Sequence, residues 1–220
     1  MFSLTKSSIL CFVLCFAVVT STVFAVEVDL PENSIIVEAE AGKMDKGITV
    51  VDQKDASEGK AIDSAVQAVT THEIDLPKAG DWYVWVRLYC PGGGADSYWI
   101  GIKDAKPNPN DANGGPEAVK IYSEAGDSVN TDAQPFNIWY WDAGVKSEPP
   151  ANRFFEVKTA GTNQLWSKGR EVGTLLDQIL LTMDDSFNAE EASKGEAIDI
   201  PKAVYPKDKL AVTWGEIKCP

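Results

Sequence analysis

Hydrophobic and polar residues alternate along most of this chain in short runs rich in Val, Ile, Trp, Tyr and Thr, separated by clusters of glycine, proline and asparagine. A period of two is typical of strands, whose successive side chains point to opposite faces. The pattern predicts about nine antiparallel strands, no long amphipathic helix, and therefore an all-β fold of the β-sandwich type. The predicted strands lie near residues 34–40, 47–52, 66–76, 81–90, 97–103, 136–142, 152–159, 162–169 and 175–182.

The clearest alternation runs from Trp82 to Tyr89. Its two faces consist of Trp82, Val84, Val86 and Leu88 on one side, and of Tyr83, Trp85, Arg87 and Tyr89 on the other. The first face has the composition of a core. The second carries three aromatic rings and a guanidinium, which is more than a solvated face needs.

The first 25 residues have the order of a secretory signal peptide. One cation, Lys6, precedes an apolar run over residues 9–19, and the small-residue sequence Val23-Phe24-Ala25 follows. This order predicts cleavage after Ala25. A membrane anchor is the alternative, but the apolar run is shorter than the ~20 residues that a bilayer span needs. We expect a soluble mature protein that is not inserted in a membrane. It should be secreted or extracellular, with a periplasmic or cell-surface location as the alternatives.

Composition divides the mature chain into a sandwich domain over residues 26–183 and an acidic C-terminal tail over residues 184–220. The tail is expected to end in a docking strand at residues 210–214. Residues 104–135 form a long polar stretch in which only residues 118–122 could form a short strand or turn. Such a long loop is either functional or a disordered insertion without a role.

Charge narrows the range of partners. The 220-residue chain has 20 Lys and Arg against 33 Asp and Glu, a formal net charge of −13. Such a surface repels phosphate backbones and anionic lipids, so nucleic-acid and membrane-surface roles are not expected, whereas divalent cations suit it. After signal cleavage two cysteines remain, Cys90 and Cys219. In an oxidising compartment they either pair or stay free, and the sequence does not decide between these outcomes.

Few residues suit catalysis, so we do not expect an enzyme. His72 is the only histidine, and no Gly-x-Ser-x-Gly nucleophile turn is present. The cysteine and histidine count excludes a conventional zinc site. A lyase or hydrolase would need a tight cluster of acids and a base in one cleft, and carboxylate pairs are too numerous in an acidic chain to indicate one.

Two carboxylates suggest a hard cation. Glu38 and Glu40 lie two residues apart on a predicted strand, so both are expected on one face. Like charges side by side on a half-buried surface repel each other unless a cation lies between them, and calcium prefers oxygen ligands. The alternative is an exposed strand face with no ion.

Aromatic residues form a second pattern. Trp99 follows a serine and a tyrosine, and in residues 138–141 alternation places Trp139 and Trp141 on one face. An exposed pair of rings offers flat apolar platforms for the C–H faces of a sugar ring, while core filling is the alternative for each tryptophan. Arg170 lies at a predicted hairpin tip beside Glu171, where a structural salt bridge and a ligand contact both remain open.

Four stretches resemble the β-sandwich carbohydrate-binding modules of families six and thirty-five and their relatives. They cover nearly the whole domain and read IVEAE at 36–40 with DASEGKA at 55–61, LPKAGDWYVWVR at 76–87, FEVKTAGT at 155–162, and LDQILLT at 176–182. The resemblance implies a jelly-roll sandwich. It also implies a structural Ca²⁺ held by Glu38, Glu40 and Asp177, with backbone oxygens near residues 57–60.

The same resemblance implies sugar binding at the loop end or on the concave face of one sheet. The candidate ligand-binding residues are Trp85, Arg87, Trp99, Trp139, Trp141 and Arg170. The leading interpretation is a secreted, non-catalytic module for an oligo- or polysaccharide, alone or beside surface or enzyme-complex partners. The rival is a structural or cell-surface interaction protein on the same sandwich without sugar binding. An exposed tryptophan pair would favour the first and burial of all seven tryptophans the second.

Overall fold

The computed structural model describes residues 25–108, 110–122, 136–143 and 153–199. These residues contain thirteen strands and one short helix. The strands are β1 (Ile35–Glu38), β2 (Lys43–Met44), β3 (Ile48–Asp52), β4 (Lys60–Ser64), β5 (Val69–Leu76), β6 (Gly80–Tyr89), β7 (Ser97–Ile102), β8 (Lys106–Asn108), β9 (Ala118–Tyr122), β10 (Trp139–Asp142), β11 (Phe154–Val157), β12 (Gly161–Gly169) and β13 (Leu175–Thr182). The helix α1 spans Ala189–Ser193, and two 3-10 turns span Ala39–Ala41 and Ser57–Gly59.

The strands form two antiparallel sheets that pack face to face as a β-sandwich. The eight-stranded sheet has the order β3-β4-β13-β6-β11-β8, with β1 added to β13 and β10 added to β6. The five-stranded sheet has the order β2-β5-β12-β7-β9. The expected all-β sandwich is therefore confirmed.

The main core lies between the sheets and is built by the alternation seen in the sequence. From β6 it takes Trp82, Val84, Val86 and Leu88, the face predicted to be buried. β13 supplies Leu176 and Ile179 to the same core across a bulge, because the strand register shifts between Leu176 and Gln178. The bulge takes Asp177 out of the regular alternation.

A second apolar cluster lies on the outer face of the eight-stranded sheet, away from the main core. Residues 184–199 cover this face: Ala189 of α1 and Ile198 are fully buried there against Trp85 and Trp141. The side-chain amide of Gln178 donates to the carbonyl of Ile198 and accepts from its N–H, each over 2.9 Å. The described first part of the predicted tail thus packs against the sandwich.

All nine predicted strands are present, as β1, β3, β5, β6, β7, β10, β11, β12 and β13. Three short strands escaped prediction, namely β2, β4 and β8. The polar stretch 104–135 contains β8 and β9, so it contributes one strand to each sheet. The pairing partners of β8 and β9 lie far away in sequence, and strands this short show little alternation of their own.

Some sequence-based expectations fall outside the described residues. These are the signal peptide up to residue 24, the docking strand at 210–214, and Cys219. Cys90 is buried, and its Sγ lies 3.3 Å from the hydroxyl of Tyr140. Whether Cys90 pairs with Cys219 stays open. No helix within the described ranges is long and apolar enough to cross a membrane.

Candidate functional site

Arg87 and Asp177 form a buried ion pair on the outer face of the eight-stranded sheet. Arg87 Nη1 donates to Asp177 Oδ2 over 2.5 Å, and neither side chain is more than 1% exposed. The N–H of Ser57 donates to the other carboxylate oxygen over 3.0 Å. Arg87 also donates to the carbonyl oxygens of Asp55 and Gly195. Both oxygens of Asp177 are therefore engaged, and the Arg87 cation is held inside the protein.

Glu38 and Glu40 lie beside this pair, and each has a buried Oε2 without a hydrogen-bond partner. The other oxygen of Glu38 accepts from Ser57 Oγ over 2.8 Å and from Gln178 Nε2 over 2.9 Å. Burial, with a contribution from the Asp177 carboxylate, raises the pKa of Glu38 to about 8 and that of Glu40 to about 7. A hard cation near these oxygens would stabilise the charged forms.

Two of the three predicted calcium ligands thus keep an oxygen available, and the third does not. Glu38 and Glu40 fit an oxygen-seeking cation. Both carboxylate oxygens of Asp177 already accept hydrogen bonds, one from Arg87 and one from the N–H of Ser57. Among the described residues no three His, Cys, Asp or Glu side chains are arranged to hold a metal ion. The three-acid calcium site stays a prediction.

Trp85 and Trp141 lie beneath residues 184–199, which cover the outer face of the eight-stranded sheet. Their exposed fractions are 1% and 0%. The backbone N–H of Trp141 donates to Glu190 Oε2 over 2.7 Å, and its indole Nε1 donates to the carbonyl of Glu196 over 2.9 Å. Residues 184–199 would have to move before a sugar could stack on either ring.

Trp139 is half-buried at the margin of the same face. Its ring packs against that of Tyr89 at a centroid distance of 5.6 Å, and the Arg87 guanidinium carbon lies 5.0 Å from its centroid. The hydroxyl of Tyr89 lies 3.4 Å from Asn137 Oδ1. Trp139 is the one candidate ligand-binding tryptophan on this sheet that is not fully buried.

Arg170 belongs to a compact polar network that fixes the start of β7. It donates to Ser97 Oγ over 2.8 Å, forms a close ion pair with Glu171, and lies 3.7 Å from Asp96. Glu171 Oε2 in turn accepts from the N–H of Ser97 over 3.1 Å. The structural salt bridge that the sequence left open is therefore present.

The outer face of the five-stranded sheet carries a different aromatic surface, centred on Trp166. Trp166 of β12 is half-buried and pairs with Gly101 of β7 on one side and Thr71 of β5 on the other. A Cβ at Gly101 would lie 2.0 Å from the Cε2 and Cζ2 atoms of Trp166. The indole therefore lies against the backbone of Gly101, a position that only glycine leaves open.

Trp99 lies two residues before Gly101 on the same face but is only 5% exposed. A Cβ at Gly114 would lie 2.4 Å from its Cδ1, so the loop before β9 covers this ring. Between the two indoles stands Lys168, whose Nζ lies 4.7 Å from the Trp99 centroid and 5.8 Å from that of Trp166. Lys168 Nζ also donates to the carbonyl of Gly114 over 2.5 Å. Trp99 is therefore buried beneath this surface, and Trp166 is the indole that remains partly accessible on it.

A groove of about 950 Å³ adjoins Trp166 along β5. Thr71, the neighbour of Trp166 on β5, and Gln164, two residues before it on β12, both line the groove. Its remaining lining is Val37, Ala41, Gly42, Lys43, Asp45, His72, Glu73, Ile74, Asp75 and Thr162. The volume falls within the roughly 300–1,000 Å³ that is common for small-molecule sites. Polar side chains beside a flat ring are suited to bind a polyhydroxylated ligand.

His72 forms part of the wall of this groove. The side chain is 7% exposed, and its Nε2 is buried without a hydrogen-bond partner. Burial lowers the pKa of His72 to about 4, so the imidazole is neutral at pH 7. A Cβ at Gly42 would lie 2.7 Å from Nε2, which places the imidazole directly against that glycine.

Sequence reasoning missed Trp166 and the groove. The alternation of β12 contained a usable signal, because Leu165 and Ser167 are buried while Gln164, Trp166 and Lys168 share the opposite face. The glycine at position 101 gave no signal, since its pairing with Trp166 spans 65 positions and depends on the register of β7 and β12. The groove likewise depends on the packing of residues 41–45 against β5.

No protein-family model and no curated relative matches the chain. Several solved structures are similar to it at low identity. The β-(1,4)-mannanase GH26-CBM35 of Podospora anserina is 13% identical with a TM-score of 0.47, covering 72% of this chain and 29% of that one. This chain thus spans less than a third of the length of the mannanase.

Two smaller proteins are similar over nearly their whole length. The C-terminal CBM6 of the laminarinase LamC from Zobellia galactanivorans is 15% identical with a TM-score of 0.44, covering 68% of this chain and 99% of that one. The module CBM6cm-2 of Cellvibrio mixtus lichenase 5A, solved with cellotriose, is 17% identical with a TM-score of 0.45, covering 68% and 97%. Likeness at this distance identifies no binding residue, so the function is argued from the residues of this chain.

Proposed function

We propose that this chain is a secreted, non-catalytic carbohydrate-binding module that holds an oligo- or polysaccharide on the outer face of its five-stranded sheet. The observation that carries the proposal is the half-buried indole of Trp166, lying flat on Gly101 beside a polar groove. Sugar rings have one apolar C–H face and many hydroxyls, which match a flat ring flanked by Thr71 and Gln164. The resemblance of four sequence stretches to carbohydrate-binding modules supports the same class.

The non-catalytic part of the proposal rests on the chemistry of His72. A base with a pKa of about 4 has little tendency to take up a proton at neutral pH. Export rests on the N-terminal sequence alone. N-terminal sequencing of the exported protein should begin at Val26, and a protein retained with its first 25 residues would contradict export.

A structural calcium ion is also proposed, with Glu38 and Glu40 as the residues that would hold it. Their two unpartnered oxygens support this assignment. A ligand that binds only the folded state stabilises it by about 2.7 kcal/mol at one hundred times its Kd. The melting temperature should therefore be higher in calcium than in EGTA, and the difference should shrink in Glu40→Gln. Equal melting temperatures in both buffers would remove calcium from the proposal.

The binding test is a glycan array probed with the chain from Val26 onward, as wild type, Trp166→Ala and Trp139→Ala. The Trp139 variant is the matched control, because it removes the half-buried indole of the other sheet. We expect a glycan signal that Trp166→Ala abolishes and Trp139→Ala retains. The reverse result would move the site to the eight-stranded sheet.

A structural or cell-surface interaction role is the second candidate, and tryptophan burial favours it in part. Trp82, Trp85, Trp99 and Trp141 are buried among the six tryptophans that the structure describes. The two half-buried ones, Trp139 and Trp166, lie on different sheets and form no exposed pair. A folded protein without signal for any arrayed glycan would favour this role.

A further inference from the structure

The groove beside Trp166 has a one-sided charge. Asp45, Glu73 and Asp75 are exposed on its rim, and among the described residues that line it Lys43 is the only lysine or arginine. Glu73 and Asp75 are two residues apart on β5, so both carboxylates stand on the outer face of the sheet. None of the three acids forms an ion pair with a residue that the structure describes. The groove lining therefore carries a net negative charge.

The residues of β12 that lie directly opposite these acids are neutral. In the pairing of β5 with β12, Glu73 lies opposite Gln164 and Asp75 opposite Thr162. An amide and a hydroxyl can donate to and accept from hydroxyl groups, but they supply no charge to balance a carboxylate. Lys168, four positions beyond Gln164 on β12, donates to the carbonyl of Gly114 beside Trp99. The charge at the groove itself therefore favours a ligand without anionic groups.

His72 forms the inner wall of the groove. It pairs with Leu165 of the main core, so its imidazole lies on the inner face of β5, on the opposite side from Glu73 and Asp75. The side chain is more than nine-tenths buried, and its position between the groove and the core makes it a reporter of a ligand that enters the groove. His72 is also the only histidine in the chain.

We propose that the groove extends the Trp166 platform into a subsite for uncharged sugar chains, and that Glu73 and Asp75 set the selectivity by repelling uronates. This inference rests on the proposed function and deepens it by naming the class of glycan. Like charges repel at short range, and salt weakens the effect between exposed groups. A uronate chain should therefore bind at least about tenfold more weakly than a neutral chain of equal length at low salt.

The first experiment locates the ligand. Wild-type protein is titrated with cellohexaose, laminarihexaose, mannohexaose and xylohexaose by calorimetry, while NMR follows the imidazole signals of His72, which are unambiguous in a protein with one histidine. At least one neutral hexasaccharide should bind and shift the His72 signals. If a glycan binds but leaves the His72 signals unchanged, the groove subsite is wrong, whereas the Trp166 platform remains as the binding surface. No binding by any of the four overturns the proposed function and the subsite with it.

The second experiment tests the selectivity with hexagalacturonate. The Glu73→Gln, Asp75→Asn double variant should bind it at least about fivefold more tightly than wild type does, with little change for the neutral ligand. Asp52→Asn, Glu156→Gln is the matched control, because it removes two exposed charges from the other sheet. Equal gains in the two double variants would assign the effect to net charge. Equal wild-type affinity for the uronate and neutral chains would also overturn the selectivity.

Discussion

Gly101 lies directly beneath the indole of Trp166, with room for no side chain between the sheet and the ring. A methyl group at position 101 would stand 2.0 Å from two ring carbons, well inside van der Waals contact. The glycine therefore decides whether the indole lies flat on the sheet or stands away from it. The relationship is the structural basis of the proposed platform.

Gly101→Ala should displace the Trp166 ring and weaken glycan binding about tenfold or more, because stacking needs the flat orientation. The fold should persist, since position 101 lies on the outer face. Calorimetry with the best arrayed glycan checks the affinity. Gly94→Ala is the control, because no atom lies within 4 Å of a Cβ there. Unchanged affinity in Gly101→Ala would show that the platform is not the binding surface.

Replacing Arg87 by Met should destabilise the protein by about 3–5 kcal/mol, because it leaves the Asp177 carboxylate buried without its cation. Asp177→Asn in the same chain removes that charge and should recover part of the loss. Denaturant unfolding of the two single variants and the double variant gives the coupling free energy. Additive losses would contradict a direct pairing of the two charges.

Ile198→Ala should destabilise the fold by about 2–5 kcal/mol, the usual cost of emptying a buried aliphatic site. The reason is that Ile198 packs in the cluster that covers Trp85 and Trp141. Tryptophan emission should also shift to longer wavelength as water reaches these rings. Val172→Ala, at a side chain that is 61% exposed, should change stability by less than about 0.5 kcal/mol. An equally small effect at Ile198 would mean that residues 184–199 are not an integral cover.

The sequence allowed the strands and their faces to be predicted, but not what covers each face. Alternation correctly placed Trp82 in the main core and Trp85 and Arg87 on the opposite side of β6, because the side-chain period of a strand is local. Whether that opposite side is open depends on contacts far apart in sequence, such as the bond from Arg87 to Gly195 across 108 positions. Residues 184–199 were predicted to be a tail because their composition is acidic. Only a few apolar side chains, such as Ala189 and Ile198, pack this segment against the sheet.

Prediction of the candidate site from the sequence was limited in the same way. Trp99, Trp139 and Trp166 all lie on outer faces of the sandwich, yet Trp99 is covered by the loop at Gly114 and the other two are not. No local pattern distinguishes these three tryptophans. Calcium ligands were proposed from spacing and resemblance, and that reasoning could not foresee the Arg87 cation beside Asp177, since it rests on the pairing of β6 with β13.

His72 should make the stability of this protein depend on pH in the acid range. Its pKa falls from 6.5 in the unfolded chain to about 4 in the folded protein, because burial disfavours the imidazolium. Between these values the unfolded state binds more protons, so the contribution of His72 is complete above about pH 6.5 and is lost as the pH falls towards 4. A difference of this size corresponds to about 2–3 kcal/mol between pH 7.5 and pH 4.5.

The measurement is the unfolding free energy of wild type and of His72→Phe across this pH range, with His72→Gln as a second variant in case the larger ring disturbs Gly42. The raised pKa values of Glu38, Glu40 and Asp177 give wild type and variants alike an opposing trend, which cancels in their difference. Wild type should therefore lose about 2–3 kcal/mol relative to the variants on going from pH 7.5 to 4.5. Parallel curves would mean that the imidazole becomes protonated without cost in the folded state, which would require a more open groove than the one lined by His72 and Gly42.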